Sequence, residues 1–111
     1  MALVTRTSRG IRIQQTGARG MREALLAGPA SGSNRFTVRK IFLEPDGCTA
    51  RASFDRAVVY FVHEGRISMS HGSGELDLLS PGDSVTVNPD ELHHLHNIDK
   101  MKAVVIKVAS Q

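Results

Sequence analysis

Three of the five histidines lie within a run of four residues, at positions 93, 94 and 96. Histidine changes charge near neutral pH and is also the commonest metal ligand, so this run indicates acid–base or metal chemistry. The run follows a turn at Asn88-Pro89-Asp90 and continues as a strand-like pattern to Asn97. Since side chains alternate along a strand, His93 shares one face with Asn97, whereas His94 and His96 share the other.

The spacing around His93 resembles the second signature of the cupin superfamily, G-x5-P-x-G-x2-H-x3-N. Gly82, His93 and Asn97 match three fixed positions, whereas Asn88 and Asp90 replace the proline and the second glycine with other turn formers. The resemblance implies an all-β fold, a double-stranded β-helix or jelly-roll barrel of two antiparallel sheets. In that family the histidine is a metal ligand that points into the barrel, and His93 takes this position by resemblance.

Residues 61–67 resemble the end of the first cupin signature, G-x5-H-x-H-x3,4-E-x6-G, which supplies the other ligands of the family. In the register set by Gly65, apolar residues replace the two histidines and the glutamate: Ala52, Phe54 and Val58. In the register set by Gly47, the same positions hold Ser53, Asp55 and Val59. With both signatures, the resemblance covers about residues 36–108.

Neither register supplies a histidine pair or a glutamate. A divalent ion needs several converging nitrogen and oxygen ligands, and one imidazole cannot hold it against water. We therefore expect no cofactor and no stoichiometric metal, with His93 and Asp55 as the weak metal candidates.

Two interpretations of His93 stay open. It is either a remnant that is hydrogen-bonded inside a filled barrel, or the polar anchor of a ligand pocket with apolar walls. Tyr60 shares the inward face of Val58, and its buried hydroxyl needs a partner, for which His93 is a candidate. Metal-free cupins such as sugar epimerases use a histidine base and a tyrosine acid, so the resemblance implies His93 and Tyr60 as catalytic residues.

The candidate ligand-binding set combines this pair with the replaced ligand positions and the arginines beside them. Arg51 and Arg56 flank those positions and are candidate contacts for an anionic ligand at the barrel mouth. The full set is His93, Tyr60, Ala52, Phe54, Val58, Arg51 and Arg56.

Three functions are consistent with these residues, and whether the protein is an enzyme stays open. The first is a small-ligand-binding barrel that acts as a metal-independent isomerase, epimerase or lyase. The second is a non-catalytic ligand-binding or sensor module. The third is a metal-dependent dioxygenase or isomerase with non-standard ligands around His93.

The outward face of the strand-like segment 57–64 predicts a partner surface. Val59, Phe61 and His63 alternate with Val58, Tyr60 and Val62, so they form a partly apolar outer patch. Cupins commonly pair, and we expect a homodimer. We interpret His94 and His96 as exposed or interface side chains rather than as a chelate, and His71 as an exposed turn residue.

Composition bounds the class of protein. The 111 residues predict one domain, with an N-terminal strand and loop extension at 1–35 and a barrel core at 36–108. The longest apolar run, 57–62, is too short to span a membrane, so we expect no membrane partner. The single cysteine, Cys48, excludes an internal disulfide and favours a cytoplasmic location.

The net charge of +3 is unevenly distributed. Residues 1–40 contain eight Arg or Lys and one acid, Glu23, which is a composition shared by transit peptides and nucleic-acid-binding arms. The arginines are scattered and no aromatic residues are interleaved with them, so we expect a solvated face or an interface and no nucleic-acid partner.

The rest of the pattern predicts eight or nine short strands without a long helix. An edge strand is expected at 10–14 and a short helical turn at Arg19–Ala27, where Met21, Leu25 and Leu26 recur near helical spacing. Residues 36–43 predict a strand with a bulge at 39–40, residues 44–47 a turn, and residues 49–54 a weak strand. Residues 71–74 predict a hairpin turn.

Overall fold

The computed structural model describes residues 4, 11–13, 17–28, 35–72 and 74–110. Within these ranges the protein has nine strands and no helix, and therefore no helix able to cross a membrane. The strands are β1 (Ile11–Ile13), β2 (Arg19–Ala27), β3 (Phe36–Cys48), β4 (Val58–Glu64), β5 (Ile67–His71), β6 (Glu75–Leu79), β7 (Ser84–Val87), β8 (His93–Asn97) and β9 (Ala103–Ser110). The prediction of an all-β protein is confirmed.

All strand pairs are antiparallel, and the sheet curls into a nearly closed barrel. The hydrogen-bonded order is β6-β5-β8-β3-β9-β4-β7, with β2 on β3 and β1 on β2. The long strand β3 lies between β8 and β9 in this order and pairs with both. Its first part pairs with β9, and its last residue, Cys48, pairs with His96 on β8. The predicted jelly-roll fold is thus confirmed.

The prediction of a helical turn at Arg19–Ala27 is wrong, because this segment is strand β2. Leu25 pairs with Arg39 and Ala27 with Val38, so Leu26 is an extra residue that forms a bulge. Because of this extra residue, the apolar side chains of Met21, Leu25 and Leu26 do not follow the period of two of a regular strand. Their spacing therefore resembles that of a helix. The bulge predicted at 39–40 is in fact on this neighbouring strand, since β3 pairs with β9 in unbroken register from Phe36 to Leu43.

The predicted turn at 44–47 is a large bulge inside β3. Met21 pairs with Leu43 and Arg19 with Cys48, so four residues of β3 lie opposite one residue of β2. Asp46 has a φ of 63°, which a short polar side chain tolerates better than most. The bulge is held by the buried Asn97, whose amide nitrogen donates to the carbonyls of Leu43, Glu44 and Met101.

Segment 49–54 is not the predicted strand, but it is tied to β8. Thr49 and Leu95 exchange two hydrogen bonds of 2.9 Å, one of them through the Thr49 hydroxyl. Ala52 and His93 form an isolated antiparallel bridge, with backbone bonds of 2.9 and 3.0 Å. These bonds fix the segment across the barrel interior, beside His93.

The barrel interior is filled from the alternate positions of each strand. On β4, Val58, Tyr60 and Val62 are buried whereas Phe61 is exposed. On β8, His93, Leu95 and Asn97 are buried whereas His94 and His96 are half-buried on the outer side. The predicted inward direction of His93 and outward direction of His94 are therefore confirmed.

Candidate active site

His93 and Tyr60 form a buried hydrogen-bonded pair inside the barrel. His93 lies on β8 and Tyr60 on β4, and their side chains are 3% and 4% exposed. The Tyr60 hydroxyl is 2.8 Å from Nε2 of His93, and the two rings meet edge-on with centroids 5.4 Å apart. The structure therefore contains the hydrogen bond between Tyr60 and His93 for which the sequence analysis named His93 as a candidate partner.

The direction of each proton in this pair follows from a third contact. Nδ1 of His93 lies 2.9 Å from the carbonyl oxygen of Glu91, which only accepts, so Nδ1 carries the hydrogen. In the neutral ring Nε2 is then the acceptor, and the Tyr60 hydroxyl donates to it. Burial, and to a smaller extent the charge of Glu23, raise the pKa of Tyr60, so the phenol stays protonated.

The space beside this pair is small. Ala52 and Phe54 form one wall, and the rings of Phe54 and His93 lie 5.6 Å apart at 58°. The cavity beside the pair is about 10 Å³ in volume when only positions for the centre of a water molecule are counted. This is enough for one water molecule. We call this space the inner cavity. The barrel is therefore nearly filled around His93.

The inner cavity also contains two charged residues that the sequence interpretation missed. Glu23 on β2 is 2% exposed and Lys107 on β9 is 7% exposed. Nη1 of Arg39 lies 3.4 Å from Oε2 of Glu23, so one carboxylate is paired inside the barrel. Lys107 was detectable by alternation, since it shares the inward face of Val105, but the helical interpretation of β2 hid Glu23.

Lys107 has an unusual environment for an ammonium group. Its Nζ lies 4.0 Å from the centroid of the Phe54 ring, within the range of a cation–π interaction. Burial lowers the pKa of Lys107 and the positive charge of Arg39 adds to this effect, whereas the carboxylate of Glu23 opposes it. The positive charge of Lys107 is therefore costly where it lies.

A larger space, which we call the mouth groove, lies on the other side of Phe54 and Lys107. Its volume is about 170 Å³ by the same measure, and its lining includes Arg39, Phe54, Asp55, Arg56, Val58 and Lys107. Phe54 and Lys107 line both spaces and so separate the mouth groove from the inner cavity.

The predicted ligand-binding residues are distributed unevenly between these spaces. His93, Tyr60, Ala52 and Phe54 line the inner cavity, whereas Arg56, Val58 and again Phe54 line the mouth groove. Arg51 lines neither space; it is exposed near His94, whose pKa its charge helps to lower. Four of the seven predicted residues therefore meet in the inner cavity, and Phe54 connects them to the two that line the mouth groove.

The donor set around His93 does not match the needs of a divalent metal. Within the described residues, no group of three or more His, Cys, Asp or Glu side chains is placed to hold one. Nε2 of His93 already accepts a bond from a phenol that burial keeps protonated, and a protonated phenol is a poor ligand. Asp55 is exposed, lies 4.0 Å from Arg56 and does not line the inner cavity. The side chains that surround His93 therefore do not fit the metal that the resemblance to cupins implies.

The remaining histidines lie outside this site. Nε2 of His96 is 2.7 Å from Asp46, so His96 is not available to chelate a metal with His94. His63 is exposed beside Phe61 on the outer face of β4. The prediction that His71 is exposed is wrong, because it is half-buried and bonded to Asp77 at 2.7 Å across the β5–β6 hairpin.

Comparison with known proteins defines the fold. No protein-family model matches the sequence, and no curated protein matches it significantly. Many solved structures match the fold, and several superpose over nearly the whole chain.

The polyketide cyclase RemF from Streptomyces resistomycificus has a TM-score of 0.87 at 18% identity, over 99% of this chain and 80% of that protein. A predicted oxalate decarboxylase from Thermotoga maritima has a TM-score of 0.84 at 18% identity, over 97% and 98%. An RmlC-like cupin from Shewanella frigidimarina has a TM-score of 0.78 at 17% identity, over 99% and 91%. The chain therefore has the fold of a small single-domain cupin, and at these identities the likeness shows the fold alone.

Proposed function

We propose that the protein is a metal-independent enzyme that moves a proton on a small carbonyl compound, as isomerases and epimerases do. The observation that carries the proposal is the 2.8 Å hydrogen bond between the buried Tyr60 hydroxyl and Nε2 of His93. The Glu91 carbonyl orients the imidazole so that its basic nitrogen faces the inner cavity. One group that accepts a proton and one that donates a hydrogen bond thus meet at one point.

In the proposed reaction, the substrate carbonyl displaces the Tyr60 hydroxyl from His93. Nε2 of His93 takes a proton from the carbon beside the carbonyl, and the electron pair of that C–H bond moves toward the carbonyl oxygen. The Tyr60 O–H, which stays protonated, stabilises the resulting enolate oxygen by a hydrogen bond. Return of the proton from His93 to a carbon atom completes an isomerisation or epimerisation without an oxidant.

The small volume of the inner cavity limits what can react there. Room for about one water molecule accepts only the reacting end of a substrate, so the rest must lie in the mouth groove.

A second candidate function, a non-catalytic ligand-binding or sensor module, is favoured by the nearly filled barrel. The two functions differ in whether bound ligand exchanges a proton. The test is hydrogen–deuterium exchange at the carbon beside the carbonyl of small ketones and 2-oxo acids in D₂O, followed by NMR.

We expect exchange to be accelerated by the native protein and reduced by about 100-fold or more in His93→Gln and Tyr60→Phe. His63→Gln, which changes an exposed histidine, is the matched control and keeps full activity. Binding without exchange would favour the sensor module, and exchange that survives His93→Gln would refute the proposed base.

Two further proposals concern the whole molecule. A homodimer through the outer face that carries Val59, Phe61 and His63 would cover apolar side chains that a monomer leaves wet. A cytoplasmic location rests on the single cysteine, Cys48, which has no disulfide partner in the chain.

A further inference from the structure

We propose that the mouth groove binds the carboxylate of a monoanionic substrate and that Lys107 is the residue that selects for it. This proposal rests on the proposed function, because the groove adjoins the inner cavity where His93 and Tyr60 lie. It goes further by naming the chemical class of the substrate and the group that recognises it.

The charge balance around Lys107 is the first argument. Three charged side chains meet inside the barrel at the boundary of the two spaces: Glu23, Arg39 and Lys107. The half-buried Arg39 pairs directly with Glu23 at 3.4 Å, so the one carboxylate that is buried among the described residues is already matched. The positive charge of Lys107, which is largely shielded from water, is then left unmatched. The carboxylate of a ligand would neutralise it.

The charges at the outer end of the groove do not remove this excess. Asp55 and Arg56 both line the groove, and their side chains lie 4.0 Å apart. Both are exposed, so they neutralise each other weakly and in contact with water. Among the described residues, the lining of the groove has three cations and the acid Asp55, and Glu23, the partner of Arg39, adds a second acid. An excess of one charge favours a monoanion over a dianion such as phosphate.

The apolar lining of the groove supports an organic ligand rather than an inorganic anion. The Phe54 ring, Val58 and Ala109 share the groove with Lys107. A carboxylate paired with Lys107 would therefore leave its carbon skeleton against the ring and the aliphatic side chains. Since Phe54 and Lys107 also line the inner cavity, a ligand held there lies next to the space beside His93.

The test compares two probes of the same shape and different charge. Benzoate and benzamide are titrated into the protein, and binding is measured by calorimetry or ligand-observed NMR at low and at moderate salt. We expect benzoate to bind at least about 10-fold more tightly than benzamide, with the difference reduced by salt because it is electrostatic.

Lys107→Met, which keeps the length of the side chain and removes its charge, is expected to bring the two probes to within about twofold. Two exposed variants keep the test valid if that variant fails to fold. Arg56→Gln should weaken benzoate by about threefold and Asp55→Asn should tighten it by about threefold, with benzamide unchanged in both. The opposite signs separate a charge effect from a general loss of structure.

Equal affinity of the two probes in the native protein would overturn the proposal, as would no saturable binding of benzoate at millimolar concentration. The proposal would also be overturned if Lys107→Met still bound benzoate more tightly than benzamide. An unchanged affinity for benzoate in both Arg56→Gln and Asp55→Asn would overturn it too. His93→Gln and Tyr60→Phe should retain the benzoate preference, since neither residue lines the groove. Binding can therefore succeed while proton exchange fails, and the two proposals are judged separately.

Discussion

At the scale of single residues, the chemistry of the barrel depends on what surrounds one histidine. The Glu91 carbonyl sets its tautomer, Tyr60 occupies its basic nitrogen, and Phe54 lies against its ring. Metal-binding histidines in proteins are oriented by partners in the same way, but they then face other ligands. Here Nε2 accepts a hydrogen bond from a phenol, and the cavity beside it is lined by Ala52, Phe54, Glu23 and Lys107. This is the arrangement on which the proposed proton transfer rests.

The first prediction concerns metal content. We expect protein purified without chelators to contain far less than one equivalent of divalent metal, because replacing three of four donors leaves too few ligands for a stable site. Elemental analysis by mass spectrometry is the measurement. About one zinc, iron or manganese per chain, lost in His93→Ala but kept when His94 and His96 are replaced together, would contradict the metal-free site.

The second prediction concerns acid stability. Burial lowers the pKa of His94 from 6.5, and the charges of Arg51, His96 and His93 add to the effect. The unfolded chain therefore binds a proton at His94 below pH 6.5 before the folded protein does. Stability from this group is complete above pH 6.5 and is lost as the pH falls from there through the folded pKa.

We expect the free energy of unfolding to decrease between pH 7 and pH 5, and His94→Gln to make this decrease smaller. Urea denaturation at several pH values is the measurement. His63→Gln is the control, because its side chain is exposed and its replacement should leave the profile as it was. A profile unchanged in His94→Gln would show that other groups cause the acid loss.

At the scale of elements, turns and bulges decide which side chains enter the barrel. Unbroken pairing with β3 between two bulges places Glu23 opposite the buried Ile41, and the bulge at 44–47 is held by Asn97. Asn97, which matches the family signature, therefore acts as a brace between β8, the bulge and the segment that leads to β9. These hydrogen bonds account for the burial of the Asn97 side chain without a bound ligand.

The third prediction compares two glycines with nearly the same backbone conformation. Gly65 has a φ of +89° and Gly82 a φ of +93°, so alanine would be strained at both. At Gly65 the new Cβ would also lie 2.8 Å from the Cβ of Ala103, whereas at Gly82 nothing lies within 4 Å.

We therefore expect Gly65→Ala to lower the free energy of unfolding by about 2 kcal/mol more than Gly82→Ala does. Chemical denaturation of both variants measures the difference, and the shared backbone strain cancels in the comparison. Equal losses would mean that the β4–β5 turn moves away from Ala103 at little cost.

At the scale of the whole molecule, the outer face of the β4–β9 pair is the best candidate for contact with a second copy. Val59 pairs with Val108 and Phe61 with Ile106, so four apolar side chains lie together on this outer face. Phe61 is 49% exposed. A twofold dimer would place this patch against the same patch of the partner.

The fourth prediction is that the protein sediments as a dimer at micromolar concentration and that Phe61→Arg converts it to a monomer. A matched control is Leu78→Arg, which changes an apolar residue that is 67% exposed on the edge strand β6 and should leave the dimer intact. A native monomer, or dissociation by Leu78→Arg alone, would refute this interface.

The sequence by itself determined the barrel and the position of its histidine. Period-two alternation is a local property, so it predicted that His93 and Asn97 share one face of β8 and His94 the other. The resemblance of Gly82, His93 and Asn97 to the cupin signature implied the fold and which of these faces points inward. Alternation on β4 placed Tyr60 on the interior side in the same way. Both directions agree with the observed burial.

Only the tertiary structure decided which charges share the interior. The bulge at Leu26 gives Met21, Leu25 and Leu26 a helical spacing, and the helical interpretation hid that Glu23 shares the inward face of Met21. The pairing of Glu23 with Arg39, and the position of Lys107 over Phe54, depend on contacts between strands far apart in sequence. The groove arises from the closure of the barrel, which brings together β3, β4, β9 and residues 54–56. Alternation along a single strand carries no information about which strands meet in this way.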